Sequence, residues 1–200
     1  MNSIKINLLF YIVFMPLNEL SRTSVASWKH LELLQIELEW GKIYDAVARV
    51  GNKNAVAGLV RHIQNQTYIF IEQYRYPLQA KVLELVAWII DKPEKTIVDI
   101  MKEEIREETW YSQIGNIEFI SQTSASAWSL SETTTLYDIE ISWPKWIQNL
   151  SEMEDITVLE IPYKDFEAFY TSKKREWVIF DPKVCMAVYD TLAKVKPFLR

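Results

Sequence analysis

Short apolar runs separated by polar turns fill most of the chain after Leu31, and they predict β-strands. LELLQIELE and KIYDAVARV flank a predicted hairpin turn at Trp40-Gly41, and residues 64–66 form a polar turn between the next two runs. Residues 55–63 and 68–74 are apolar on both alternating faces, which is typical of strands covered on both sides. A protein built around a β-sheet is therefore expected, with further strand-like runs at 116–128, 132–142 and 156–162.

Helix signals appear in the stretch 84–111, ELVAWIIDKPEKTIVDIMKEEIREETWY, and again near the end of the chain. Thr96 followed three residues later by Asp99 is a capping-box pattern, which marks a helix start. Asp181 followed by Pro182 marks a second start. Apolar residues at helical spacing predict two buried stripes, the first formed by Ile97, Ile100, Met101 and Ile105, and the second by Val184, Val188, Leu192 and Val195.

The outer face of the first predicted helix carries carboxylates that are not interleaved with bases. Glu104 lies four residues before Glu108, and neither has a basic residue three or four positions away along the helix. Two carboxylates at this spacing repel each other unless a cation joins them. Hard divalent cations such as Mg²⁺ take carboxylate oxygens and also bind substrate phosphates. The pattern leaves two interpretations open, a metal site or an ordinary solvated acidic face.

The same stretch resembles the Nudix box, the signature of the Nudix hydrolases. EIREET at 104–109 matches the end of that signature, and ELVAWIIDKPEK at 84–95 resembles the preceding loop in the branch that hydrolyses nucleoside diphosphate sugars. The likeness continues in QYRYP, in SASAWSLSETTTLY and in EWVIFDPK, so it runs from about Leu31 to the C terminus.

Three departures separate the stretch from the family pattern. Trp88 and Trp110 stand where the family has glycine, and Glu103 stands where it has arginine. The spacing between Glu94 and Glu104 is one residue longer than in the family.

The resemblance implies an α/β Nudix fold, in which a mixed β-sheet is sandwiched between α-helices and preceded by extra antiparallel strands. It implies a single Nudix domain over 28–200, with the box at about 84–111, after an N-terminal extension over 1–27. The apolar run 7–15 is too short to span a membrane. We expect translation to begin at Met15, because MPLNELSRTSVAS has the character of a protein start.

The implied activity is metal-dependent hydrolysis of a nucleoside diphosphate sugar, ADP-ribose or a UDP-sugar, to a nucleoside monophosphate and a sugar phosphate. The metal would be Mg²⁺, with Mn²⁺ as the other option, and its implied ligands are Glu104, Glu108 and the carbonyl group of Ala87. The implied catalytic residues are Glu154, Glu152 and Glu107. The implied substrate-binding residues are Arg75, Glu84 and Glu132. A catalytically inactive Nudix-like domain that binds or senses a nucleotide sugar is the alternative, and a non-Nudix acidic α/β scaffold is a further one.

Charge and composition limit the partners of the 200-residue chain. A net charge of −5 argues against a general nucleic-acid-binding protein. The one cysteine, Cys185, excludes an internal disulfide framework and favours a reducing compartment, so we expect a cytoplasmic protein without a membrane partner. His30 and His62 lack metal-ligand spacing and are expected to be structural or surface residues. The resemblance also implies a homodimer joined by N-terminal strands.

Tryptophan is unusually frequent, with eight residues against four glycines. The resemblance places glycine at four of these positions, Trp88, Trp110, Trp128 and Trp177. Glycine serves such loops by adopting positive φ or by allowing close backbone approach, and tryptophan is the bulkiest replacement. A gene from a lineage that reads UGA as glycine, translated with UGA as tryptophan, would explain all four. Trp28, Trp40, Trp143 and Trp146 are then suspects as well, and the alternative is a genuine, diverged and inactive homologue.

Overall fold

Two β-sheets and three α-helices make up residues 17–92, 94–145 and 155–195, the parts of the chain that this computed structural model describes. The smaller, antiparallel sheet contains β1 (Glu19–Ser27), β2 (Leu31–Leu38) and β3 (Lys42–Arg49). The larger sheet contains β4 (Ala55–His62), β5 (Thr67–Arg75), β6 (Ala80–Glu84), β7 (Val86–Ile89), β8 (Tyr111–Thr123), β9 (Thr134–Lys145), β10 (Ile156–Pro162) and β11 (Ile179–Phe180). The helices are α1 (Ile97–Thr109), α2 (Phe166–Arg175) and α3 (Pro182–Val195).

The larger sheet is mixed, with the strand order β11-β6-β5-β4-β9-β8. Strands β4 and β9 pair in parallel, as do β6 and β11, whereas β8 and β9 are antiparallel. One edge of β4 is divided, because residues 60–62 pair with β5 and residues 55–58 pair with β7. Strand β5 in turn pairs with β6 from Ile71 onward. The sheet therefore forks, and the chain crosses the fork between Glu84 and Val86.

The core lies on both faces of the larger sheet. Val56 and Val60 of β4 pack with the buried stripe of α1, and the alternate residues Ala57 and Leu59 pack against α2 and α3. The sheet is thus sandwiched between helices, as the sequence predicted. Within the described parts of the chain, every helix is too short or too polar to cross a membrane.

Both predicted helix starts are confirmed by their capping contacts. The backbone N–H of Asp99 donates to Thr96 Oγ1 at 3.1 Å, and that of Lys183 donates to Asp181 Oδ1 at 2.8 Å. The buried stripes are confirmed at Ile100, Met101, Ile105, Val184 and Val188, while Ile97 and Leu192 are partly buried against the core. The side chain of Val195 lies outside the described residues.

Strand β1 was not predicted, and it lies inside the stretch that we expected to be an extension. Its sequence, ELSRTSVAS, is largely polar and lacks apolar alternation. Strand β1 is held to β2 by the antiparallel ladder from Glu19↔Leu38 to Ser27↔Glu32. The proposed start at Met15 falls outside the described residues.

Three tryptophans adopt backbone conformations that favour glycine. Positive φ angles of 63°, 66° and 57° occur at Trp40, Trp110 and Trp177. Trp40 forms the predicted hairpin turn with Gly41, whose φ is 69°, and Trp110 is the left-handed C-cap of α1. Trp88 and Trp128 do not have positive φ, so backbone strain does not explain a preference for glycine at those two positions.

We predict that Trp40→Gly and Trp177→Gly each raise the free energy of unfolding by about 1 kcal/mol, since a left-handed conformation is costly for any residue with a Cβ. Both side chains are almost fully exposed, at 83% and 91%, so little packing is lost. Urea unfolding followed by circular dichroism measures the change. Trp28→Gly is the matched control, because Trp28 is also exposed but has ordinary φ. Equal loss of stability in all three variants would contradict the prediction.

Candidate functional site

A cavity of about 600 Å³ lies at the fork of the larger sheet. It brings together four residues that the sequence analysis placed in the site, Arg75, Glu84, Ala87 and Glu132. Arg75 ends β5, Glu84 ends β6 and Ala87 lies in β7, so the fork itself gathers them from three strands. The site therefore depends on sheet topology as well as on the predicted box.

Arg75 and Glu84 form a two-bond ion pair in the wall of this cavity. The Arg75 Nε–Glu84 Oε1 distance is 2.6 Å, and the NH2–Oε2 distance is 2.5 Å. The Glu84 side chain is 7% exposed and that of Arg75 is 43% exposed. Hydrogen bonding to Glu84, together with the charges of Glu84, Glu108 and Asp181, outweighs burial and raises the pKa of Arg75. Glu84 takes two of the five N–H donors of the guanidinium, so it orients the group and leaves further donors for anions.

Glu132 is held by a cation that the sequence analysis did not predict. Arg49, the last residue of β3, bonds through its Nε to the Glu132 carboxylate, and both line the cavity. The backbone reinforces this contact, because Val47 N–H donates to Ser129 O at 2.7 Å and Ser131 N–H donates to Val47 O at 3.0 Å. The smaller sheet is thereby attached to the loop before β9. No local pattern distinguishes Arg49 from a surface arginine, since its partner lies more than 80 positions away.

The candidate metal ligands Glu104 and Glu108, and Glu107 beside them, lie on α1 and are partly buried. Burial, followed by the charge of Glu107, raises the pKa of Glu104, and Lys92 opposes the shift. Lys92 Nζ lies 3.5 Å from Glu104 Oε1 and 3.0 Å from Glu103 Oε2. The helix itself supplies no base to Glu104, as the spacing indicated, but the preceding loop does.

Glu103 does not form the ion pair with Arg106 that its spacing along α1 would allow. It lies within reach of Arg106 along the helix, yet its carboxylate binds the loop lysines Lys92 and Lys95, the latter at 2.6 Å. Arg106 instead donates from its Nε to the carbonyl oxygen of Ser112. Glu103 is therefore paired with bases of the preceding loop and not with a base of its own helix.

The side chains of α1 suit a hard divalent cation, because carboxylate oxygens are the preferred ligands of such an ion. Burial and the negative charge of Glu107 also oppose the ionisation of Glu104, so this carboxylate favours a cationic partner. Within residues 17–92, 94–145 and 155–195, however, no group of three or more His, Cys, Asp and Glu side chains is arranged to hold a metal ion. Glu104, Glu107 and Glu108 are not among the cavity-lining residues, whereas Ala87 is. The predicted catalytic residues Glu152 and Glu154 lie outside the described residues.

The remaining candidates from the sequence have structural roles. His62 is fully buried, accepts a hydrogen bond from the Asn65 N–H at its Nδ1, and packs edge-on against Tyr111 with 5.2 Å between ring centroids. His30 is exposed, and Cys185 is a partly buried free thiol on α3. The positions of His62 and His30 agree with the structural or surface roles expected for the two histidines.

A solved structure described as an ADP compounds hydrolase shares the fold, with a TM-score of 0.59 and 17% sequence identity over 77% of this chain and 84% of that chain. Neither a family model nor a curated protein matches the sequence. The structural likeness establishes a Nudix-like α/β fold for the chain, in agreement with the resemblance seen in the sequence.

We predict opposite stability effects for two neighbouring glutamates of α1 in metal-free buffer at neutral pH. Glu104→Gln should raise the free energy of unfolding, because a carboxyl group whose folded pKa is raised destabilises the protein once pH exceeds that pKa. Glu103→Gln should lower it, because hydrogen bonds from Lys95 and Lys92 lower the Glu103 pKa, which stabilises the protein above the unfolded pKa.

Urea unfolding with a chelator present measures both variants at neutral and at acid pH. Both differences from the unchanged protein should shrink as the pH falls below the pKa values of the two groups. A loss of stability in Glu104→Gln would contradict the prediction, because it would mean that attraction to Lys92 outweighs burial and the charge of Glu107.

Proposed function

We propose that the protein hydrolyses the diphosphate of a nucleoside diphosphate sugar, such as ADP-ribose or a UDP-sugar, to a nucleoside monophosphate and a sugar phosphate. The observation that carries the proposal is the cavity at the sheet fork, where Arg75, Glu84, Ala87 and Glu132 meet. The fold shared with an ADP compounds hydrolase supports the same class of substrate. The single cysteine favours a cytoplasmic site of action.

In this proposal the chain's own groups bind and orient the diphosphate. The guanidinium of Arg75, fixed by Glu84, donates its remaining N–H groups to phosphate oxygens. Glu132 accepts hydrogen bonds from the substrate while Arg49 holds its carboxylate in place. The ionic contacts act in a partly enclosed cavity, where charges interact more strongly than in bulk water.

Glu104 and Glu108 would hold Mg²⁺ or Mn²⁺ with the Ala87 carbonyl group and with Glu107 in support. When bound, the ion would neutralise charge on the phosphate oxygens and lower the pKa of a water bound to it. In the proposed reaction water attacks one phosphorus, the bridging P–O bond breaks with the leaving phosphate taking its electron pair, and a carboxylate, Glu154 or else Glu152, accepts the proton of the water. This assignment of the base follows from the resemblance.

The decisive assay incubates the chain as written with ADP-ribose and with UDP-glucose, with and without Mg²⁺, and separates the products by chromatography. We expect Mg²⁺-dependent release of a nucleoside monophosphate. Glu104→Gln and Glu108→Gln should each lower kcat/KM by about 100-fold or more, because a metal contributes several kcal/mol to such reactions. Glu167→Gln, an exposed change on α2, is the control and should retain full activity.

One observation favours the alternative of a binding module without turnover. Trp88 lines the cavity with a side chain that is only 6% exposed, and its indole N–H has no hydrogen-bond partner among the described residues. A large fixed ring in the wall reduces the space for substrate. Binding without turnover that persists when glycine replaces Trp88, Trp110, Trp128 and Trp177 would establish the binding module. Turnover that appears only with those four glycines would establish both the hydrolytic function and the interpretation that the native residues are glycines.

We also propose that the domain over 28–200, together with the preceding strand β1, forms a homodimer through the smaller sheet. Leu20 and Val25 of β1, and Ile43 of β3, are exposed although they are large and apolar. Strand β1 has β2 as its one neighbour among the described strands, so its other edge can accept a further strand.

Light scattering should give twice the chain mass of 23.6 kDa. A double change, Val25→Glu with Ile43→Glu, should shift the protein to monomer, because it places charges in the apolar contact. Phe119→Glu on β8 is the matched control, since Phe119 is an exposed apolar residue of the larger sheet. A monomeric starting protein would refute the dimer.

A further inference from the structure

Lys183 lines the cavity at the fork together with Arg49 and Arg75, although it belongs to the last helix. We infer that Lys183 is a further substrate-binding residue, whose ammonium group holds a phosphate oxygen of the diphosphate. The inference deepens the proposed function and rests on it. It adds α3 to the elements that form the site.

The position of Lys183 is fixed by two contacts with Asp181. The Lys183 Nζ–Asp181 Oδ2 distance is 2.5 Å, and the Lys183 backbone N–H donates to Asp181 Oδ1 at 2.8 Å. One carboxylate therefore caps the helix and also holds the ammonium group. The Lys183 side chain is only 17% exposed, whereas lysine side chains normally extend into water. An ammonium group has three N–H donors, so the bond to Asp181 leaves donors for an anion in the cavity.

The start of α3 is also attached to the strand that carries Glu84. The Asp181 backbone N–H donates to Leu83 O at 2.9 Å, one residue before Glu84 in β6. Asp181 and Arg75 line the same cavity, and the charge of Asp181 contributes to the raised pKa of Arg75. Lys183 and Arg75 are therefore both connected to β6, the first through Asp181 and the second through Glu84.

The charges of this wall are arranged as three cation–carboxylate pairs: Arg49 with Glu132, Arg75 with Glu84, and Lys183 with Asp181. Each cation has its own carboxylate partner in the absence of substrate, and this reduces the mutual repulsion of three cations in one cavity. Each also retains N–H donors beyond those used by its carboxylate. A diphosphate, which offers several charged oxygens along one group, can accept bonds from more than one of these cations at once.

Calorimetric titration of ADP into the full-length chain tests the inference directly. ADP carries the diphosphate without requiring turnover, and the titration is run in Mg²⁺ buffer. Lys183→Met should weaken ADP binding by about 10-fold or more, as expected for loss of a charged hydrogen bond. Lys183→Arg should retain most of the affinity because it keeps the charge and the donors. If ADP-ribose is hydrolysed, Lys183→Met should raise KM with little change in kcat.

Lys81→Met is the matched control. Lys81 is also ion-paired, to Glu72 on the neighbouring strand, but it does not line the cavity. Its change should leave ADP affinity within about twofold of the unchanged protein. Circular dichroism confirms that each variant is folded.

An ADP affinity of folded Lys183→Met equal to that of the unchanged protein would overturn the inference, even if the substrate panel is hydrolysed. Conversely, ADP binding that depends on Lys183, without hydrolysis of any panel member by the chain as written or by its four-glycine variant, would support the Lys183 site and refute the enzymatic function. A protein that neither binds ADP nor hydrolyses the panel would overturn both.

Discussion

The ion pair between Arg75 and Glu84 is the contact around which the cavity is built. A carboxylate as buried as that of Glu84 requires a charged partner, because an unpaired charge away from water is very costly. Arg75 supplies that partner from the adjoining strand. Glu84 pairs with Ile71 at the end of β6 nearest the fork, and the Arg75 side chain reaches it from the other end of the β5–β6 ladder. The charges of Glu108 on α1 and of Asp181 just before α3 also contribute to the raised pKa of Arg75, although these helices pack on opposite faces of the sheet.

The sequence predicted those parts of the molecule whose signals are local. Helix α1 was predictable because its cap and its apolar stripe lie within 14 residues, and β4 because both of its faces are buried. Strand β1 was not, because its polar sequence gives no burial pattern. Arg49 and Lys92 were missed for a related reason: their partners are set by the folded chain and not by spacing along one element.

The tryptophans show a conflict between the core, whose residues agree with the fold, and several turns, whose backbone conformation favours glycine over the residue present. The core specifies the fold through residues such as Ile105 and Phe70, which are fully buried, while Trp40 and Trp177 occupy turns that favour glycine. In natural sequences the local conformational preference of each residue usually agrees with the overall fold. Among the described residues, three of the six non-glycine residues with positive φ are tryptophans, and the others are Asn52, Gln66 and Gln79. Asparagine tolerates this conformation, whereas a bulky residue is an outlier there. The share taken by tryptophan favours a common origin, such as the reassigned codon proposed from the sequence. Trp88 differs, because its side chain lies in the cavity wall and bears on ligand size rather than on backbone strain.

Strand β3 belongs to two structures at once. Along one edge it pairs with β2 in the smaller sheet, and through Val47 and Arg49 it is bonded to the loop that carries Glu132. A displacement of that sheet must therefore move a wall of the cavity, and a ligand that shifts Glu132 must act on the sheet. Self-association through this sheet and occupancy of the cavity would then be thermodynamically linked, each changing the affinity of the other by the same factor.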